Sequence, residues 1–218
     1  MIRLKKLEKP DILVQKGEEW KDELMTYVNS GKDIPKNIQG RYAHKEIKKT
    51  LLEETKEKCA YCESVITGID YGDIEHIEPK KRVPKKTFEW INLTISCGKC
   101  NQNKGQYYNE NLSLINPYID KPEEEIIFLG PYPSARSDRA LMTVKQLKLD
   151  RVELLERRTE YIKKIQPLIN LYLNTYDKEF QKIIYQDLIE YTKEKHEYSS
   201  MMRCILATIK LPFEMQIS

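Results

Sequence analysis

Cys59 and Cys62, and again Cys97 and Cys100, stand in Cys-x2-Cys pairs. Together they can give four thiolates to one tetrahedral Zn²⁺, a closed site that holds a fold and leaves no position open for catalysis. The 34 residues between the pairs exceed the ribbon spacing of about 15 to 20. The intervening chain must therefore fold back as a hairpin to bring the pairs together. That insert carries Glu75 and His76 side by side and Asn92 further on, while Asn101 directly follows the second pair. A near-neutral imidazole can take a proton from water, and a carboxylate with an amide oxygen makes a hard donor set suited to Mg²⁺ or Mn²⁺. Phosphodiester hydrolysis needs those parts: a base to make the nucleophile, and a cation to stabilise charge on the phosphate and leaving oxygen. The stretch from Glu75 to Lys104 reads as a metal-dependent nuclease core.

Charge supports a local contact with nucleic acid. The chain has 218 residues, 33% of them charged, yet its net charge is only +3, which excludes a generally basic nucleic-acid coat. Between Lys80 and Lys104, however, Lys80, Lys81, Arg82, Lys85, Lys86, Lys99 and Lys104 face one acid, Glu89, giving +6. The remainder carries −3. Lysines at such a site give salt-sensitive affinity for phosphates without sequence specificity, and Tyr107 and Tyr108 could stack on bases.

The elements that must position these residues follow from pattern and punctuation. Gly68 and Gly72 bound short β-prone segments, Asp73 to Ile77 reads as a strand, Pro79 to Thr87 as a basic loop, and Phe88 to Ser96 as a second β-prone run. A knuckle and a short helix follow. Upstream, helices are expected around Glu18 to Val28 and from Arg41 to Lys58, with Tyr42, Ile47, Leu51 and Leu52 serving packing and His44 as a solvated or capping residue. The span from Tyr107 to Ser137 reads as loop wrapping the core. Thr143-x-x-Gln146 and Asp150-x-x-Glu153 match capping boxes. The second opens a long helix through Val152, Leu155, Ile162, Ile165, Ile169 and Tyr172, with a kink at Pro167. Asp177 starts a helix with Phe180, Ile183, Ile184, Leu188 and Tyr191, and Ser200 starts a last one that stops near Pro212. Cys204 reads as a small buried apolar residue.

The segments KCAYCES, IEHIEPK, WINL and CGKCNQNK resemble the HNH endonucleases. With LINPYIDKPEE and TVKQLKLDRVELLERR, the resemblance narrows to the HNH nucleases of bacterial anti-phage systems, the PtuB type of Septu and retron loci. It implies a zinc-stapled ββα-metal core at residues 59–110; with the patterns above, the chain is expected to be a mostly helical α+β fold, with an N-terminal helical region at 1–58, a wrapping loop region at 111–138 and a C-terminal helical region at 139–218. It implies His76 as general base, Glu75 and Asn101 as ligands of a catalytic Mg²⁺ or Mn²⁺, Asn92 as the residue that steadies the loop and orients the base, and products with a 3′-hydroxyl and a 5′-phosphate. It also implies DNA as substrate and a PtuA-like ATPase as partner, through which the protein could oligomerise.

The chain lacks both an apolar run long enough to span a membrane and a signal-peptide core, so the expected location is the cytosol. The competing expectation is a zinc-ribbon adaptor with a decayed catalytic pattern. Glu75 and Asn101, where Asp and His are commoner in the family, are its support.

Overall fold

The computed structural model describes residues 1–66 and 72–209. Gly68 and Pro212, used above as boundaries, lie outside them. The described elements are helices α1 (Asp11–Ser30), α2 (Lys36–Gln39) and α3 (Lys45–Glu54), strands β1 (Asp73–His76) and β2 (Leu93–Ser96), helices α4 (Gly98–Lys104) and α5 (Pro122–Glu125), strands β3 (Ile126–Leu129) and β4 (Tyr132–Ala135), and helices α6 (Asp138–Leu147), α7 (Val152–Asn174), α8 (Lys178–Glu190) and α9 (Ser199–Thr208). The result is a mostly helical α+β protein with two small antiparallel sheets.

The expected order of strand, loop, strand, knuckle and helix is present. β1 pairs with β2 in the register Asp73↔Ser96, Ile74↔Ile95, Glu75↔Thr94 and His76↔Leu93. The second strand is shorter than the apolar run suggested, because Trp90–Asn92 forms a 3₁₀ turn before Leu93. The first knuckle is clipped to this sheet by the Ala60 N–H, which donates to the Ile95 carbonyl at 3.1 Å. That one bond shows how the hairpin brings two distant Cys pairs together.

One hydrophobic cluster runs through the molecule, from Leu13, Leu24, Ile47 and Leu51 through Leu93 and Ile95 to Leu147, Leu154, Ile165 and Leu188. α1 is longer than its pattern predicts; it begins directly after Pro10 and ends at Gly31, whose positive φ of 66° suits the left-handed cap. His44 caps α3, its side chain accepting from the Glu46 N–H. Asp177 caps α8 through the N–H groups of Glu179 and Phe180.

Several expectations need correction. Residues 107–137 are not all loop: Ile126–Leu129 and Tyr132–Ala135 form a hairpin about Gly130. Pro133 is tolerated there because each strand of a two-stranded sheet has a free edge that needs no N–H. Neither capping box forms. α6 is capped by Ser137, and Thr143 is buried mid-helix, donating to the Arg139 carbonyl and accepting from the Ile115 N–H. α7 starts at Val152 after Arg151, with no side-chain cap. Val152, Phe180 and Ile183, expected on apolar inner faces, are exposed, and Leu154 is the buried residue at the start of α7. Cys204 is half-buried, its sulfur accepting from the Phe128 N–H at 3.4 Å.

Candidate active site

Cys59, Cys62 and Cys100 are buried and Cys97 partly so; their four sulfurs lie within 4.8 Å of one another. Tetrahedral zinc with bonds of about 2.3 Å requires sulfur–sulfur edges of about 3.8 Å. Cys62 and Cys97 are 3.9 Å apart. The donor set and spacing therefore fit one zinc. The surroundings hold the knuckles in place: Arg151 donates to the Cys100 sulfur at 3.7 Å, and the buried Glu63, next to Cys62, accepts from the Ser199 hydroxyl and the Ser200 N–H of α9.

Residues from β1 and from α4 converge beside this staple. Glu75, His76 and Asn101 line one cavity of about 270 Å³ together with Tyr42 and Lys80. His76 is 5% exposed. Its Nε2 lies 3.0 Å from the Thr87 carbonyl oxygen. A carbonyl only accepts, so Nε2 carries the proton and Nδ1 keeps the lone pair a base needs. Burial, followed by the nearby Lys80 and Lys104, depresses the imidazole pKa to about 4. The ring is therefore neutral at neutral pH.

Glu75 is also buried, and burial raises its carboxyl pKa while Lys104 pulls it back. Lys104 donates to Glu75 Oε1 at 2.6 Å and to the His76 carbonyl at 2.7 Å. Asn101 donates from Nδ2 to Asp73 Oδ2 at 2.8 Å, which leaves its carbonyl oxygen for another partner. The oxygens of Glu75 and Asn101 are the hard donors a magnesium ion takes, so this pair fits such an ion.

Asn92 lies away from that cavity and holds the loop between the strands. Its Oδ1 accepts from the Glu78 N–H at 2.8 Å, and its Nδ2 donates to the carbonyls of Glu78 and Lys86 at 3.1 and 3.0 Å. Lys86 is one residue from Thr87, the anchor of His76, so the amide fixes the loop that orients the imidazole.

The basic residues separate. Lys81, Arg82, Lys85 and Lys99 are exposed, Lys80 is half-buried in the cavity wall, and Lys86 pairs with Glu78 at 2.5 Å. Lys104 departs from the expected phosphate-facing role: it is 2% exposed and bound to Glu75, so its ammonium does not reach solvent. Tyr108 is exposed, and Tyr107 donates to the Leu112 carbonyl; both line a neighbouring cavity of about 420 Å³.

Two residues of the site escaped sequence reading. Asp73 stands two positions before Glu75, a strand spacing that places both on one face, and that signal was available. Tyr42 comes from the turn before α3, and nothing local in the sequence marks its approach to His76.

This ββα arrangement sets a buried, neutral imidazole on the first strand beside a four-thiol cluster, a combination suited to phosphodiester hydrolysis. Residues 59–107 match the HNH endonuclease family, and this HNH domain marks the chain as a nuclease, a phosphodiester hydrolase. Similarity to two named proteins extends well beyond the matched residues. It is 28% identical over 221 residues to the Septu protein PtuB of Bacillus thuringiensis, covering 94% of this chain and 82% of that protein. It is also 28% identical over 158 residues to the Septu protein PtuB of Bacillus mycoides (strain KBAB4), covering 57% of this chain and 54% of that relative. The chain thus spans about half the length of the second relative.

Proposed function

We propose that the protein is the nuclease of a bacterial anti-phage defence system and hydrolyses DNA with His76 as general base. The observation that carries this reading is the hydrogen bond from His76 Nε2 to the Thr87 carbonyl, which leaves Nδ1 unprotonated on a ring that lines the cavity shared with Glu75 and Asn101. In this mechanism Nδ1 takes a proton from water as the water oxygen attacks phosphorus.

The bond that breaks is the one between phosphorus and the 3′ oxygen. The 3′ oxygen leaves and takes a proton from solvent, and the phosphate remains on the 5′ oxygen of the other fragment.

A divalent cation held by Glu75 and Asn101 would stabilise charge on the phosphate and on the leaving oxygen. The chain's own residues do the rest. Thr87 fixes the imidazole, Asn92 fixes Thr87's loop, and Lys80 with the exposed Lys81, Arg82, Lys85 and Lys99 attracts the phosphate backbone. The four thiols hold one structural zinc. Both nuclease and ATPase partner belong in the cytosol; among the described residues no helix is long and apolar enough to cross a membrane.

A PtuA-like ATPase is the partner implied by the likeness to PtuB proteins. Leu173, Tyr176, Phe180 and Ile183, 47% exposed or more around the α7–α8 turn, offer it an apolar surface. The reading is tested by incubating the protein, with and without that ATPase, with plasmid DNA and Mg²⁺ or with a chelator. Metal-dependent cleavage leaving ends that ligase can rejoin supports it, and no cleavage in any combination would remove it.

A further inference from the structure

We propose that Tyr42, which lies outside the matched residues 59–107, is a positioning residue of the nuclease site. Its ring fixes the plane of the His76 imidazole, and its hydroxyl holds the Lys80 ammonium at the cavity where the substrate phosphate binds. The inference rests on His76 acting as the base.

The imidazole's hydrogen bond to Thr87 fixes one point of the ring and leaves rotation about that bond. The Tyr42 ring supplies the second constraint, meeting His76 edge to face with centroids 4.5 Å apart and planes at 79°. The same side chain reaches Lys80. Lys80 Nζ donates to the Tyr42 hydroxyl at 2.7 Å and lies 4.2 Å from the ring centroid. All three line the cavity that holds Glu75 and Asn101.

Lysine sits on a flexible stem, and holding it before substrate arrives reduces the ordering that binding would otherwise require. Tyr42 is itself held on both sides. Arg41 pairs with Glu23 of α1, and His44 caps α3. The N-terminal region thereby completes the reaction centre as well as packing against it.

The two contacts predict separable effects in the full chain, measured as steady-state cleavage of an oligonucleotide duplex with Mg²⁺. Tyr42→Leu frees the imidazole, and because misplacing a catalytic group by about 1 Å can cost about 100-fold, kcat should fall by about that factor. Tyr42→Phe keeps the ring contacts and removes only the hydroxyl that holds Lys80, so KM should rise several-fold with kcat little changed. Lys80→Gln should raise KM by the same factor, and the Tyr42→Phe/Lys80→Gln double variant should be no worse than Lys80→Gln alone.

His76→Ala is measured in parallel. If it is inactive while Tyr42→Leu keeps a wild-type kcat, or if Tyr42→Phe and Lys80→Gln act additively, the role of Tyr42 is overturned. If His76→Ala stays active, the base assignment itself falls, and the inference with it. Zinc content reports folding; should Tyr42→Leu fail to fold, the Tyr42→Phe and Lys80→Gln cycle decides alone.

Discussion

Lys104 on α4 grips β1 at two successive residues, donating to the Glu75 carboxylate at 2.6 Å and to the His76 carbonyl at 2.7 Å. Both partners of the ion pair are buried. Removing one member of such a pair leaves an uncompensated buried charge, at a cost of about 3 to 5 kcal/mol. Lys104→Met should therefore lower the denaturation midpoint substantially, and Mg²⁺ should stabilise this variant more than wild type by replacing the missing charge. A midpoint unchanged within error would contradict the placement of Lys104.

Asn92 joins the loop to itself through three hydrogen bonds. Leaving buried backbone groups unpaired costs about 1 to 3 kcal/mol, so Asn92→Ala should be destabilised in that range and slower in cleavage, since the loop carries Thr87. Urea unfolding with a parallel activity assay checks both effects; full activity in the variant would show that the loop does not orient His76.

The four-thiol cluster predicts about one zinc per chain, with binding coupled to folding. Metal analysis should give that ratio, and a strong chelator should unfold the core as judged by circular dichroism. A well-folded preparation free of zinc would contradict the assignment.

The buried His76 also has a consequence for pH. Its pKa falls from the ordinary 6.5 to about 4 on folding, so between those values the unfolded chain binds a proton that the folded chain does not. Stability from this group is present above pH 6.5 and is lost as pH falls towards 4, by at most about 3 kcal/mol. Urea midpoints at pH 7 and 4.5 should differ more for wild type than for His76→Gln. Equal differences would show that the ring is not buried in its neutral form.

The catalytic core was legible because its signals are local: Cys-x2-Cys spacing, Glu75 beside His76, and breakers at Pro79 and Pro84 marking the loop. His44 and Asp177 were legible as caps for the same reason. What escaped depends on tertiary context. Pro131 and Pro133 argued against the hairpin that a free sheet edge permits, and Thr143 resembles a cap until its helix is seen to begin at Ser137's side. Lys104 reads as one more surface cation until α4 packs on β1, and Tyr42 reaches His76 across 34 positions of sequence.

The central claim is that His76 takes the proton from the attacking water. Its most direct test is single-turnover cleavage of duplex DNA by wild type and His76→Ala, with Mg²⁺ and equal zinc content. The account predicts that the variant binds DNA but loses cleavage by about 100-fold or more. A variant that cleaves at the wild-type rate would contradict it.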